Sequence, residues 1–293
     1  MRQLKAALAF TAMAVVLASP ASAQRNNWGT LTEPFHIIDN VYYVGTEGLA
    51  AYLFVTPEGN ILLDGAIPEA VPQIEANIAK LGFKLSDTRI LLNSHAHFDH
   101  SGGLAQLKKD TGAKLYAMEG DVSALEGGFY LGSESVKTMS APPVRVDNVL
   151  RDGDTVKLGA TALKANLTPG HTRGCTSYGA TVQDGGKPYE LLVFCSATVA
   201  ANRITPPLQY EGIIGDYRET FVKAKTMKVD IPLAPHPDFF GMLAKRDKAK
   251  ADPKAPNPFI APAEFGPFIA KAEADFEKTL KERTEAPAKP AAN

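Results

Sequence analysis

The sequence has almost no net charge: 31 Lys and Arg stand against 32 Asp and Glu, a formal −1. A chain without a basic excess has no electrostatic footprint for a polyanion or an anionic membrane face, so neither nucleic acid nor a membrane surface is expected as a partner. Cysteine is scarce, with Cys175 and Cys195 alone. An even pair in an exported chain invites a disulfide closing a loop of roughly 20 residues, worth about 3 kcal/mol. Two buried thiols, or metal ligation by Cys195, are the competing readings at this point. Long apolar runs are missing too. Ala6 to Ala18 is too short to span a membrane, and no internal repeat is visible.

That short run has the anatomy of a leader. Arg2 and Lys5 form a basic start, and Ala21-Ser22-Ala23 is a small-x-small cleavage site. Residues 1–23 are therefore expected to be a signal peptide, with Gln24 as the mature start and the periplasm as destination. Residues 24–282 are expected to form a single domain, since a chain that is 45% hydrophobic and 22% charged can build one sizeable soluble core. The Ala/Pro/Lys-rich tail, 283–293, is expected to be loose. A monomer is the default.

Along the chain, Val41–Val44, Ala51–Val55 and Asn60–Asp64 alternate with turn signals as an antiparallel meander. Val71, Ile74, Ile78 and Leu81 recur at helical spacing, ending at Gly82. Arg89–Leu92 is a buried strand, followed by a helix from Leu104 to about Lys109 and a strand at Lys114–Ala117. Glu119 to Leu150 has no sustained period and is expected to form a short helix and then a long loop. Val156–Leu158 and Ala162–Leu167 are strands. Thr176–Val182 and Leu191–Cys195 pair as a hairpin about Gly185-Gly186. A helix near Tyr217–Met227 precedes the strand Ile231–Ala234. Lys245–Pro258 is expected as a loop, and Ile269, Ala272, Phe276 and Leu280 share a face of a last helix. Mixed strands and helices with hairpins point to two packed sheets with helices outside, an α/β (α+β) fold.

The chain has six histidines. His36 lies in the lead-in, where a surface or packing role is the default. His95, His97, His100, His171 and His236 all sit where strands give way to turns, and Asp99 is among them. Four metal-ligand side chains fall within His95-Ala96-His97-Phe98-Asp99-His100. A catalytic zinc takes three protein ligands and keeps a position for water. Five histidines and one aspartate make two such sets, and imidazole and carboxylate without thiolate suit zinc.

His95-x-His97-x-Asp99-His100 with His171 and His236 resembles the signature of the metallo-β-lactamase superfamily. Gly45-Thr46-Glu47, Leu62-Leu63-Asp64-Gly65 and Pro235-His236-Pro237 extend the likeness over nearly the whole mature chain. The resemblance implies a four-layer αββα sandwich and two Zn2+ ions. It assigns His95, His97 and His171 to the first ion and Asp99, His100 and His236 to the second. In glyoxalase-type thioesterases and many lactonases of this fold an aspartate bridges the two metals; here Ser196 stands at that place. Members with Asp-Arg instead of Asp99-His100 take a ligand from cysteine. With His100 present, Cys195 is free to pair with Cys175. Both features resemble subclass B3 metallo-β-lactamases, which are exported.

The activity so implied is hydrolysis of the β-lactam amide of penicillins, cephalosporins and carbapenems, a route to antibiotic resistance. It proceeds by a metal-bridging hydroxide oriented by Asp99, with no covalent enzyme intermediate. Ser196 is expected to hydrogen-bond solvent near the second zinc. Thr198 is expected at the substrate carboxylate, and Asn202 as a further polar contact or a solvated loop residue. Asp64 either orients a ligand histidine or caps a strand-end turn. The alternatives are a lactonase or thioesterase on the same scaffold, or a non-catalytic periplasmic zinc-binding protein. A di-iron oxidoreductase of this fold would carry glutamate where His97 sits.

Overall fold

The computed structural model describes residues 27–285; the expected signal peptide, 1–23, and the end of the expected loose tail lie outside them. Two sheets carry the fold. The first has seven strands in sequential order: β1 (Phe35–Ile38), β2 (Val41–Tyr43), β3 (Tyr52–Thr56), β4 (Gly59–Leu63), β5 (Thr88–Leu92), β6 (Lys114–Met118) and β7 (Asn148–Leu150). The β2–β4 part is the expected antiparallel meander, β1 adds an antiparallel strand at its edge that the sequence pattern did not announce, and β4 to β7 run parallel. The second sheet holds β8 (Thr155–Leu158), β9 (Thr161–Leu167), β10 (Thr176–Asp184), β11 (Lys187–Val193) and β12 (Ile231–Leu233), in the order β12-β11-β10-β9-β8. The β10–β11 hairpin turns at Gly185-Gly186, both in the left-handed region.

Alternation along the strands sorts the side chains into layers. Tyr52, Phe54, Ile61, Leu63, Ile90 and Leu92 point inward, and meet Leu163, Ala165, Tyr178, Leu191, Val193 and Leu233 of the second sheet. Leu53, Leu62, Leu91 and Leu115 point outward, against helices α1 (Val71–Lys80), α3 (Leu104–Thr111) and α4 (Val122–Gly127), with Ile74, Ile78, Leu104, Leu107 and Leu125 as the main contacts; the one-turn helix α2 (Phe98–Ser101) lies between β5 and α3 in the chain. On the far side, Leu192 and Phe194 pack on α5 (Ile213–Ala224) and the last helix through Ile213, Tyr217, Phe221, Ile269 and Phe276. The result is the expected αββα sandwich. Strand β5 is covered on both faces, which is why it appears in the sequence as an unbroken apolar run.

Three further elements depart from expectation. Asn148–Leu150, at the end of the expected long loop, is strand β7 and pairs with β6. Met242–Ala251 is a helix, α6, where a loop is expected. It buries Met242 alone, so its sequence carries no apolar stripe. The last helix, α7 (Pro262–Glu285), runs past Arg283. Arg283 is fixed there because its guanidinium donates to the Asn202 carbonyl at 2.8 Å, so the first three residues of the expected loose tail are helical.

Topology gathers the site. Strands β4 and β5 are parallel with Leu63 beside Leu92, and β11 and β12 are parallel with Val193 beside Leu233. Asp64, the His95 loop, Ser196 and His236 therefore leave the carboxyl ends of neighbouring strands, the edge where open α/β sheets place their ligands.

Candidate metal centre

His95 and His97 follow β5 in extended backbone. Asp99 and His100 lie on the one-turn helix α2 instead of on a strand end. Gly102 and Gly103 after it are a packing necessity: a Cβ on Gly103 would lie 2.2 Å from the Gly65 carbonyl oxygen. This close approach lets Gly65 N–H donate to the His100 carbonyl at 2.8 Å and Gly103 N–H to that of Ala66 at 3.1 Å. Asp64 is buried at the root of the loop, and its Oδ1 accepts from Ser94 N–H at 2.7 Å and Asn93 Nδ2 at 3.2 Å. It thus holds the backbone just before His95. Burial raises its carboxyl to about 6, against the opposing pull of His100 and the Ser94 and Asn93 donors.

The imidazoles converge as two sets. His95, His97 and His171 meet edge to face, with ring centroids 4.8, 4.7 and 4.5 Å apart. Asp99, His100 and His236 form the second: His100 Nε2 lies 3.2 Å from His236 Nε2, and Asp99 Oδ2 lies 3.3 Å from the first and 3.5 Å from the second. Within each set the donor atoms lie within 4.8 Å of one another. His171 Nδ1 donates to the Thr198 carbonyl at 2.7 Å, and His236 Nδ1 donates to that of Gly48 at 3.3 Å. Each bond fixes the tautomer and leaves Nε2 with its lone pair for a cation.

The donor set fits a metal. Burial, reinforced by neighbouring imidazoles, holds His95 and His97 well below the usual histidine range, so both rings are neutral. Burial also lowers His171, to about 4, and His236, with His100 adding to the effect, to about 4. Burial favours the protonated form of Asp99, yet His100 and His236 hold it far below the carboxylate range. His95 Nε2 and His100 Nδ1 are buried with no hydrogen-bond partner. At His100 burial is outweighed by Asp99, which raises it above the usual histidine range. Imidazoles crowded together around one carboxylate are poorly satisfied by one another, and a divalent cation at each set is the simplest remedy.

Ser196 is buried, and its Oγ lies 3.3 Å from both Thr198 Oγ1 and Thr198 N. Thr198 is exposed, next to His171. Asn202 requires a correction. It is 1% exposed, with Nδ2 donating to the His171 carbonyl at 2.9 Å and to Tyr217 Oη at 3.1 Å, while Oδ1 accepts from Tyr130 Oη at 2.8 Å. Its polar atoms are spoken for, so it is a support of the His171 turn and neither a substrate contact nor a solvated loop residue. Tyr130 lies in the aperiodic stretch, where no spacing marks it; its ring stacks on His97 at 4.3 Å and 14°. Cys175 and Cys195 form the expected disulfide, Cα atoms 5.9 Å apart, beside His95. His36 Nε2 donates to the nearby Asp39 carbonyl and its ring packs on Tyr42, and it belongs to neither ligand set among the described residues.

Comparison with known proteins agrees with this geometry. The family model described as the metallo-beta-lactamase superfamily matches residues 45–184. BJP-1, a subclass B3 metallo-beta-lactamase of Bradyrhizobium japonicum, is 50% identical; the alignment covers 89% of this chain and 98% of that one, with a TM-score of 0.86. FEZ-1 metallo-beta-lactamase from Legionella gormanii is 39% identical over 88% and 98% of the two chains, with a TM-score of 0.83. Among curated sequences, a hydroxyacylglutathione hydrolase of Rhodospirillum rubrum is 28% identical over 38% of this chain and 35% of its own length. A probable metallo-hydrolase of Burkholderia pseudomallei is 33% identical over 37% of this chain and 36% of its own. The chain thus spans about a third of those two relatives. With a half-identical relative matched over almost its entire length, this chain belongs to the metallo-β-lactamase superfamily of hydrolases.

Proposed function

We propose that this protein is a two-zinc β-lactamase that hydrolyses the ring amide of penicillins, cephalosporins and carbapenems. The observation that carries the reading is the pairing of two complete three-ligand sets with Ser196, not a carboxylate, at the place of the bridging aspartate of thioesterases. The likeness to BJP-1 supports it.

Zinc ions held by His95, His97 and His171 and by Asp99, His100 and His236 would supply an ionised water at neutral pH and polarise the amide carbonyl. The residues of the chain do the positioning. Thr198 and Gly48 carbonyls lock the His171 and His236 rings by accepting from Nδ1. Asp99, kept ionised, accepts a hydrogen bond from the attacking water and so aims its lone pair. The hydroxyls of Ser196 and Thr198 form a polar pair, Thr198 facing solvent, suited to the substrate carboxylate. Export through residues 1–23 to the periplasm would bring the enzyme to its substrates and to a compartment where Cys175–Cys195 persists. Among the described residues no helix is long and apolar enough to cross a membrane.

The competing reading is a thioesterase, which the hydroxyacylglutathione hydrolase relatives favour and Ser196 disfavours. Purified protein is assayed on the three β-lactam classes and on acyl-glutathione thioesters, with and without a chelator. Chelator-sensitive β-lactam turnover is expected. Thioester turnover alone, or zinc-loaded protein inert on every β-lactam, would sink the proposal.

A further inference from the structure

Asp121 follows β6 and immediately precedes α4, and it is 2% exposed. It is not one of the six ligands. Its Oδ2 accepts from Ala96 N–H at 2.8 Å and from Thr172 Oγ1 at 2.8 Å, and its Oδ1 accepts from Gly174 N–H at 2.8 Å. Ala96 sits between His95 and His97. Thr172 and Gly174 follow His171. One carboxylate therefore grips two loops that leave different sheets, at positions adjacent to all three histidines of the first set.

The fit is close on both sides. A Cβ on Gly174 would lie 2.5 Å from Asp121 N and 2.6 Å from its Cγ, and a Cβ on Gly120 would lie 2.7 Å from the Arg173 carbonyl carbon. The loops meet a second time where Thr176 N–H donates to the Ser94 carbonyl at 2.8 Å, but that contact lies outside the ligand positions. The carboxylate itself makes no hydrogen bond to the Asp99–His100 turn or to the His236 segment among the described residues.

We propose that Asp121 is a positioning residue that fixes the spacing of the His95–His97 loop against the His171 loop, and so sets the metal affinity of the three-histidine set alone. The proposal rests on the two-zinc reading. Three donors converge on two carboxylate oxygens, and an amide cannot reproduce that. In an Asp121→Asn variant with the amide oxygen turned to Ala96 and Thr172, the new amide nitrogen would face the Gly174 N–H, two donors together. Outer partners of metal ligands are commonly worth about 10–100-fold in affinity.

The test is site-resolved zinc occupancy. Crystals of wild type and D121N are equilibrated at graded free zinc, and anomalous scattering at the zinc edge reads each set separately. Expected is a shift of about tenfold or more towards higher zinc for the His95–His97–His171 set, with the Asp99–His100–His236 set unmoved. Equal weakening of both sets, or no change, overturns the proposal. Wild type that fills neither set overturns the two-zinc reading and this inference together; wild type that fills both while D121N matches it overturns the inference alone. Should D121N not fold, Thr172→Val removes one of the three bonds. It is expected to weaken the first set selectively by a few-fold, and unselective or absent weakening is again refutation.

Discussion

The Nε2 atoms of His100 and His236 lie 3.2 Å apart, with the Asp99 carboxylate against both. Two ring nitrogens at that distance need a shared proton or a cation between them. His236→Ala removes one ligand of the second set and leaves the first intact. The purified variant should hold one zinc equivalent where wild type holds two, by elemental analysis, and β-lactam turnover should fall about 100-fold, near 2.7 kcal/mol. Two equivalents retained would contradict the assignment of His236.

Thr198 presents its hydroxyl at the rim, 3.3 Å from Ser196 Oγ. If that hydroxyl binds the substrate carboxylate in ground and transition state alike, Thr198→Val should raise KM about tenfold and leave kcat nearly unchanged. Steady-state kinetics on one penicillin and one carbapenem decide the matter. A fall confined to kcat would give Thr198 a different role.

Asn202 is a structural hub under His171, bonded to Tyr130 and Tyr217 as well. Asn202→Ala strands a buried tyrosine hydroxyl and the His171 carbonyl, and should cost about 1–3 kcal/mol in urea unfolding. Tyr130→Phe removes one bond while keeping the stack on His97, and should cost about 1 kcal/mol. A neutral Asn202→Ala would mean water replaces all three contacts.

Cys175 and Cys195 are bonded across a sequence separation of 20. Alkylation of the unfolded, unreduced protein should label no thiol by mass. The double Cys→Ala variant should lose about 3 kcal/mol of stability.

Asp147 gives a pH signature away from the candidate metal centre. Burial raises its carboxyl, but Lys108 Nζ at 2.6 Å and the Leu115 N–H at 2.9 Å outweigh burial and hold it below the usual range. Its folded pKa is lower than its unfolded one, so its stabilisation is full above the ordinary carboxylate pKa and is lost as pH falls through the folded value. Urea midpoints from about pH 6 down to about pH 3 should fall less steeply for Asp147→Asn than for wild type. Parallel acid limbs would refute the assignment.

Much of the fold was legible because hydrophobic period and burial coincide. Arg89–Leu92 announces a strand covered on both faces, and Val71, Ile74 and Ile78 announce an amphipathic helix. The helix Met242–Ala251 was not legible: it buries Met242 alone and is otherwise mostly lysine, alanine and other charged residues, with no apolar stripe. Asn202 and Tyr130 were illegible for a related reason. Their roles depend on which loops close over His171 and His97, and no local spacing encodes that closure.

The sequence by itself supplied the six candidate ligand side chains, the leader-like start and most of the strand pattern, since donor chemistry and periodicity are local properties. The grouping of those side chains into two sets came with the family resemblance; only the tertiary structure decided which ring nitrogen His171 and His236 present, and that Asp64 and Asp121 hold the loops in place. Those depend on parallel strands of two sheets ending at one edge, and such distances exist only once the chain is packed.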